Sequence, residues 1–132
     1  MSTGIVLLSH GGIAAALHRE AQRILPQGGG ARVIGVAADE SCSSMRGRLE
    51  YAIRQVDGGD GVLILTDLEG ATPCNQVTQL LAHPDYHHRV RLVTGLNLPM
   101  LLKVLSYRDQ PLGQLAELAV AGGTTGIHQA AQ

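Results

Sequence analysis

The chain has 132 residues, 45% hydrophobic and 16% charged, a balance that excludes a disordered polypeptide and fits a single domain spanning residues 1–132. Ten Lys and Arg against 11 Asp and Glu leave a formal net charge of −1, and there are three Tyr but no Trp or Phe. Scattered basic residues and so few aromatic rings argue against a nucleic-acid partner. Cys42 and Cys74 form neither a CxxC pair nor a disulfide framework, and the chain shows no signal-peptide pattern. No apolar run approaches the roughly 20 residues of a membrane span. A reducing cytoplasm is the expected compartment.

In chain order, Ile5-Val6-Leu7-Leu8 is a short apolar run ending at Ser9-His10-Gly11-Gly12, and Ile13, Leu17, Ala21, Ile24 and Leu25 then recur at helical spacing up to Pro26. Arg32 to Val36 is predicted as the second strand. Met45, Leu49, Ala52, Ile53 and Val56 mark the buried stripe of the second helix, capped by Ser41 or a neighbouring serine. Gly61 to Leu65 is the third strand, and the segment Thr66 to Ala71 leads to a helix starting at Thr72-Pro73, a cap residue followed by a proline that has no N–H to leave unpaired. Val90 to Val93 is the fourth strand. Asn97 is placed to cap the next helix, with Pro99 in its first turn and Met100, Leu101, Val104 and Leu105 inward. Pro111 to Ala121 reads as the last helix, stopped by Gly122-Gly123, with Thr124 to Gln129 as a final strand.

Strands alternating with helices, joined by right-handed crossovers, predict an α/β fold: a flavodoxin-like, open, mainly parallel sheet with helices on both faces. Ligands of such sheets meet the carboxyl ends of the strands where strand order reverses. Ser9-His10-Gly11, Thr66 to Thr72 and Thr94 to Asn97 are the polar connections expected at that edge. If the first and third strands are neighbours, His10 and Asp67 face each other across it. An imidazole nitrogen is a nucleophile near neutral pH, and a carboxylate on the other nitrogen sets the tautomer and steadies the cation formed on attack. A phosphoryl group on His10 would meet helix N-termini that favour anions, the Thr72 hydroxyl, and the backbone at Gly11, Gly12 and Gly70, where no Cβ intervenes. Asp39, Glu40 and Glu69 lie in loops at the same edge, available to a basic partner surface, to helix capping or to solvent.

Other features read as structural. Cys74 is taken as a small buried residue near the site, and His83, His87 and His88 as a solvated helix-to-strand connection and not a metal centre. His18 is assigned to the polar face of the first helix. Neither a P-loop nor GxGxxG occurs, so no nucleotide or other cofactor is expected.

Three segments, IVLLSHG with His10, TDLEGATPCN from Thr66 to Asn75 and GLNLPMLLK from Gly95 to Lys103, give the chain a resemblance over nearly its whole length to the enzyme IIA component of the mannose class of the bacterial sugar phosphotransferase system. The resemblance implies that His10 takes phosphate on Nε2 from the phosphohistidine of the carrier protein HPr, with Asp67 as orienting partner and Gly11, Gly70, Ala71 and Thr72 stabilising the phosphate. It implies delivery to an enzyme IIB component, contact with a membrane permease only through partners, and a homodimer in which an antiparallel C-terminal strand near Thr124 to Gln129 is exchanged. Ala71 stands where the family commonly has a second glycine, and Glu69 where it is often apolar, so the loop around the phosphate is expected to differ slightly. The alternatives are a stand-alone IIA whose phosphorylation state controls a regulatory protein, the related phosphotransferase subunit of dihydroxyacetone kinase, and, less well matched, a receiver-like module phosphorylated on Asp67.

Overall fold

The computed structural model describes residues 2–68 and 76–131. Its elements run β1 (Gly4–His10), α1 (Ile13–Ile24), β2 (Arg32–Val36), α2 (Cys42–Val56), β3 (Val62–Thr66), α3 (Gln76–Ala82), β4 (Val90–Thr94), α4 (Leu98–Ser106) and α5 (Leu112–Thr125). The sheet order is β2-β1-β3-β4 and the strand pairs are parallel. Strand order therefore reverses between β1 and β3, which makes the first and third strands neighbours.

A parallel strand covered on both sides reads as an unbroken apolar run because both sets of alternate side chains are dry. Ile5, Leu7, Leu63 and Leu65 join one core with Ala14, Met100, Leu101, Val104 and Leu115 of α1, α4 and α5. Val6, Leu8, Val62 and Ile64 join the other with Met45, Leu49 and Ile53 of α2 and Leu80 of α3. Local signals set the helix starts: the Ser41 hydroxyl accepts from the Ser44 N–H at 3.1 Å, and Asn97 Oδ1 accepts from the Met100 N–H at 2.9 Å.

Two expectations at the chain's end are corrected. Gly122-Gly123 does not stop the last helix, which continues to Thr125. A Cβ on Gly122 would sit 2.7 Å from Lys103 Cβ, and one on Gly123 would sit 2.9 Å from Met100 Cε. These glycines let α5 lie close on α4, and that packing outweighs a helix-propensity cost of about 1 kcal/mol each. Thr124 and Thr125 thus belong to α5, with Thr125 Oγ1 donating to the Ala121 carbonyl at 2.9 Å, and residues 127–129 form no strand within the chain. Smaller shifts occur elsewhere. Gly61 precedes β3 at a φ of +88°, and Pro111 is the cap of α5 instead of its first residue. The expected helix start at Thr72-Pro73 lies outside the described residues.

Candidate functional site

The site is built at the strand-order reversal. β1 is buried along its length until His10, whose side chain is 44% exposed. The chain turns immediately afterwards, at Gly11, where φ is +47° and the N–H donates to the Val36 carbonyl of β2 at 3.1 Å. That turn passes over Gly35: a Cβ there would lie 2.2 Å from the Gly11 carbonyl oxygen, so only glycine fits opposite Ser9 in the β1–β2 register. From the other side, Leu8 is paired with Thr66, and Asp67 follows β3 directly.

This register brings Asp67 to His10. Asp67 Oδ2 lies 2.9 Å from His10 Nδ1 and also accepts the His10 backbone N–H at 3.2 Å. The Asp67 side chain is 11% exposed against 44% for the histidine, so the carboxylate is the inner member of the pair and the ring the outer. Burial by itself raises the Asp67 carboxyl, but the His10 ring and backbone hydrogen bonds and the attraction of the imidazolium together outweigh it and hold the carboxyl below the usual aspartate range. A carboxylate at Nδ1 favours the proton on that nitrogen and puts the lone pair on Nε2.

Ser9, expected only as part of a polar connection, is a buried polar residue at the end of β1. Its Oγ accepts the Ala14 N–H at 2.8 Å and donates to the His10 carbonyl at 3.2 Å. Sequence reasoning missed Gly35. Nothing in the local sequence marks its role, which arises only from the pairing of β1 with β2. The Thr94-to-Asn97 connection serves the fold: Leu96 N–H donates to the Thr66 carbonyl at 2.9 Å, and Asn97 caps α4 while its Nδ2 donates to the Gly123 carbonyl at 3.2 Å. Glu40 is engaged within its own chain, taking Arg48 on both oxygens at 2.7 and 2.9 Å and the Ser44 hydroxyl at 2.9 Å. The expected phosphate-stabilising positions Gly70, Ala71 and Thr72, together with Glu69 and Cys74, lie outside the described residues. Among the described residues no three His, Cys, Asp or Glu side chains gather to hold a metal ion, and His83 accepts instead from the Asp85 N–H at 3.2 Å. His18 departs from its expected polar-face setting, since its Nε2 is buried and burial pushes its pKa down.

Fold and site together define an open parallel α/β domain that presents, at its switch point, a solvent-facing histidine braced by a half-buried aspartate. The family model for the phosphotransferase-system fructose IIA component matches residues 4–119. The chain is 26% identical over 129 residues to the mannose-specific EIIAB component of Escherichia coli K12, covering 96% of this chain and 39% of that one. It is 26% identical over 105 residues to the fructose-specific EIIA component of Bacillus subtilis, covering 80% and 70% respectively. The mannose/sorbose-specific IIA subunit of Enterococcus faecalis superposes with a TM-score of 0.86 at 25% identity, over 100% of this chain and 97% of that one. This chain thus belongs to the mannose/fructose IIA family of the sugar phosphotransferase system. It spans about two fifths of the length of the mannose-specific EIIAB relatives. No helix among the described residues is long and apolar enough to cross a membrane.

Proposed function

We propose that the protein is a phosphohistidine carrier that accepts a phosphoryl group on His10 from phospho-HPr and passes it to an enzyme IIB component during sugar uptake. The observation that carries this reading is the 2.9 Å contact between His10 Nδ1 and Asp67 Oδ2 beneath a ring that remains 44% exposed. In the transfer step the Nε2 lone pair attacks phosphorus, the bond from phosphorus to the donor's imidazole nitrogen breaks, and the donor ring leaves with that electron pair. The His10 ring is then a cation carrying its proton on Nδ1, and the Asp67 carboxylate opposes that charge at close range in a partly desolvated site. The start of α1 brings the positive end of its dipole to the incoming anion in this reading, the Gly11 and Ala14 N–H groups being already given to the Val36 carbonyl and Ser9 Oγ. Gly70, Ala71 and Thr72 complete the cradle in this reading, by position in the family motif. Phosphoryl transfer asks mainly for positioning and charge stabilisation, which this small set of groups supplies without a nucleotide or metal.

The same reading makes the protein a cytoplasmic homodimer. It is supported by β4, an edge strand of the sheet, and by an apolar groove of about 560 Å³ beside it, lined by Val93, Ala116, Val120 and Ala121. Ile127, 76% exposed, begins the segment that a second copy would receive.

Incubation with phosphoenolpyruvate, enzyme I and HPr should give an acid-labile, alkali-stable phosphoprotein, and His10→Ala should remove the signal while leaving the circular dichroism spectrum intact. Phosphate retained in a folded His10→Ala protein refutes the assignment. Adding a IIB acceptor separates a transport relay, which discharges, from a regulatory IIA, which does not.

A further inference from the structure

The loop between His10 and α1 consists of Gly11 and Gly12, the two most pliant residues the chain could place there. Gly12 stands at the N-cap of α1 and has no side chain with which to cap it. The Ala14 N–H in the first turn belongs to a residue that is 0% exposed, and it finds its acceptor outside the helix, in Ser9 Oγ at 2.8 Å. The same hydroxyl donates to the His10 carbonyl at 3.2 Å, and Ser9 itself is 2% exposed. One buried hydroxyl therefore bridges the diglycine turn, tying the peptide that carries the imidazole to the helix start that faces the phosphoryl group.

We infer that Ser9 is a positioning residue for phosphoryl transfer, holding the His10 ring and the first turn of α1 at a fixed separation; the inference rests on His10 being the phosphoacceptor. A misplacement of about 1 Å can slow such a transfer by about 10²-fold. Without the bridge, the turn keeps the Gly11 N–H on the Val36 carbonyl at 3.1 Å, but Gly11, at a φ of +47°, and Gly12 offer no side chain to tie the His10 peptide to the start of α1. Ser9 acts through His10 and the helix start and does not itself touch the phosphate.

The test compares Ser9→Ala, Ser9→Cys and Ser9→Thr in the full chain. Ser9→Ala should lower the rate of His10 phosphorylation at saturating phospho-HPr about tenfold with the donor KM unchanged, the size of effect expected when a reacting group is held less tightly. Ser9→Thr keeps the hydroxyl and should restore the rate. Ser9→Cys keeps the shape with a larger, weaker acceptor and should fall between, and it carries the test if Ser9→Ala does not fold. The second readout is the ¹⁵N spectrum of the His10 ring, which should show one dominant tautomer in the parent and a mixture in Ser9→Ala. A folded Ser9→Ala protein phosphorylated at the parent rate overturns the inference, as does a loss of stability with the ring spectrum and rate unchanged. Should the parent chain take no phosphate on His10, the proposed function fails, and the ring spectrum alone then decides whether Ser9 positions the imidazole.

Discussion

Replacing Asp67 by Asn preserves shape and removes charge, and the structure sets the scale of the result. Asp67 Oδ2 accepts both the His10 ring N–H at 2.9 Å and the His10 backbone N–H at 3.2 Å from a side chain only 11% exposed. A hydrogen bond to an ionised partner contributes about 1.5–3 kcal/mol and one between neutral groups about 0.5–1.5 kcal/mol. If the asparagine carbonyl takes the place of Oδ2, the bond to the imidazolium stays charge-assisted but loses the opposing carboxylate charge, a drop within the charge-assisted range of about 1.5 kcal/mol, close to tenfold in rate. If the amide instead turns its NH₂ toward Nδ1, that nitrogen must accept, the ring proton moves to Nε2, and the attacking lone pair is lost. The two orientations together predict phosphorylation slowed about 10- to 100-fold. The assay is single-turnover transfer from purified phospho-HPr, followed by intact mass under alkaline conditions, with near-native circular dichroism as the control. A folded Asp67→Asn protein phosphorylated as fast as the parent would refute the role given to the carboxylate.

Further outcomes follow from the same geometry. Because Asp67 titrates below its ordinary value when folded, its contribution to stability is present above the unfolded aspartate pKa and is lost as pH falls through the folded one. The thermal midpoint should therefore drop on acidification through the aspartate range, and Asp67→Asn should flatten that part of the profile. Burial lowers the pKa of His18, so protonation there favours the unfolded chain, and stability should also decline as pH falls through the ordinary histidine range; His18→Gln should remove this second slope in a melting series, and a slope that persists would exclude His18 as its source. Gly35→Ala drives a Cβ to 2.2 Å from the Gly11 carbonyl and should cost about 1–3 kcal/mol while displacing the turn behind His10. Chemical denaturation reads the first effect and the phosphorylation rate the second, and an undisturbed protein would show that the turn yields freely. Leu101→Ala, at a residue 0% exposed in the α1/α4/α5 core, should destabilise by about 2–5 kcal/mol in urea yet leave the transfer rate of the folded protein unchanged.

Much of this protein is legible in its sequence because the relevant physics is local. A strand buried on both faces must be apolar without alternation, so Ile5 to Leu8 and Val62 to Leu65 announce themselves as central strands. Helix starts need acceptors for unpaired N–H groups, and Ser41 and Asn97 supply them where the pattern placed them. His10 and Asp67, each one residue beyond the small hydroxyl residue that closes an apolar run, mark the candidate site for a related reason: a dry strand can bury a hydroxyl such as Ser9 or Thr66, but an ionisable side chain belongs at its end. What the pattern could not supply depends on neighbours distant in the chain. The 2.9 Å approach of Asp67 to His10 exists because β3 lies beside β1 in the register Leu8 to Thr66, and a shift in that register would part the two side chains. Gly122 and Gly123 carry the sequence mark of a helix stop, but their lack of a Cβ serves contact with Lys103 and Met100, and tertiary packing decides between those uses. Ser9 and Gly35 are ordinary residues in one dimension. Folding turns the first into the acceptor for a buried amide and the second into the gap through which the His10 turn passes, because hydrogen bonding and steric exclusion act on distances that only the assembled sheet defines.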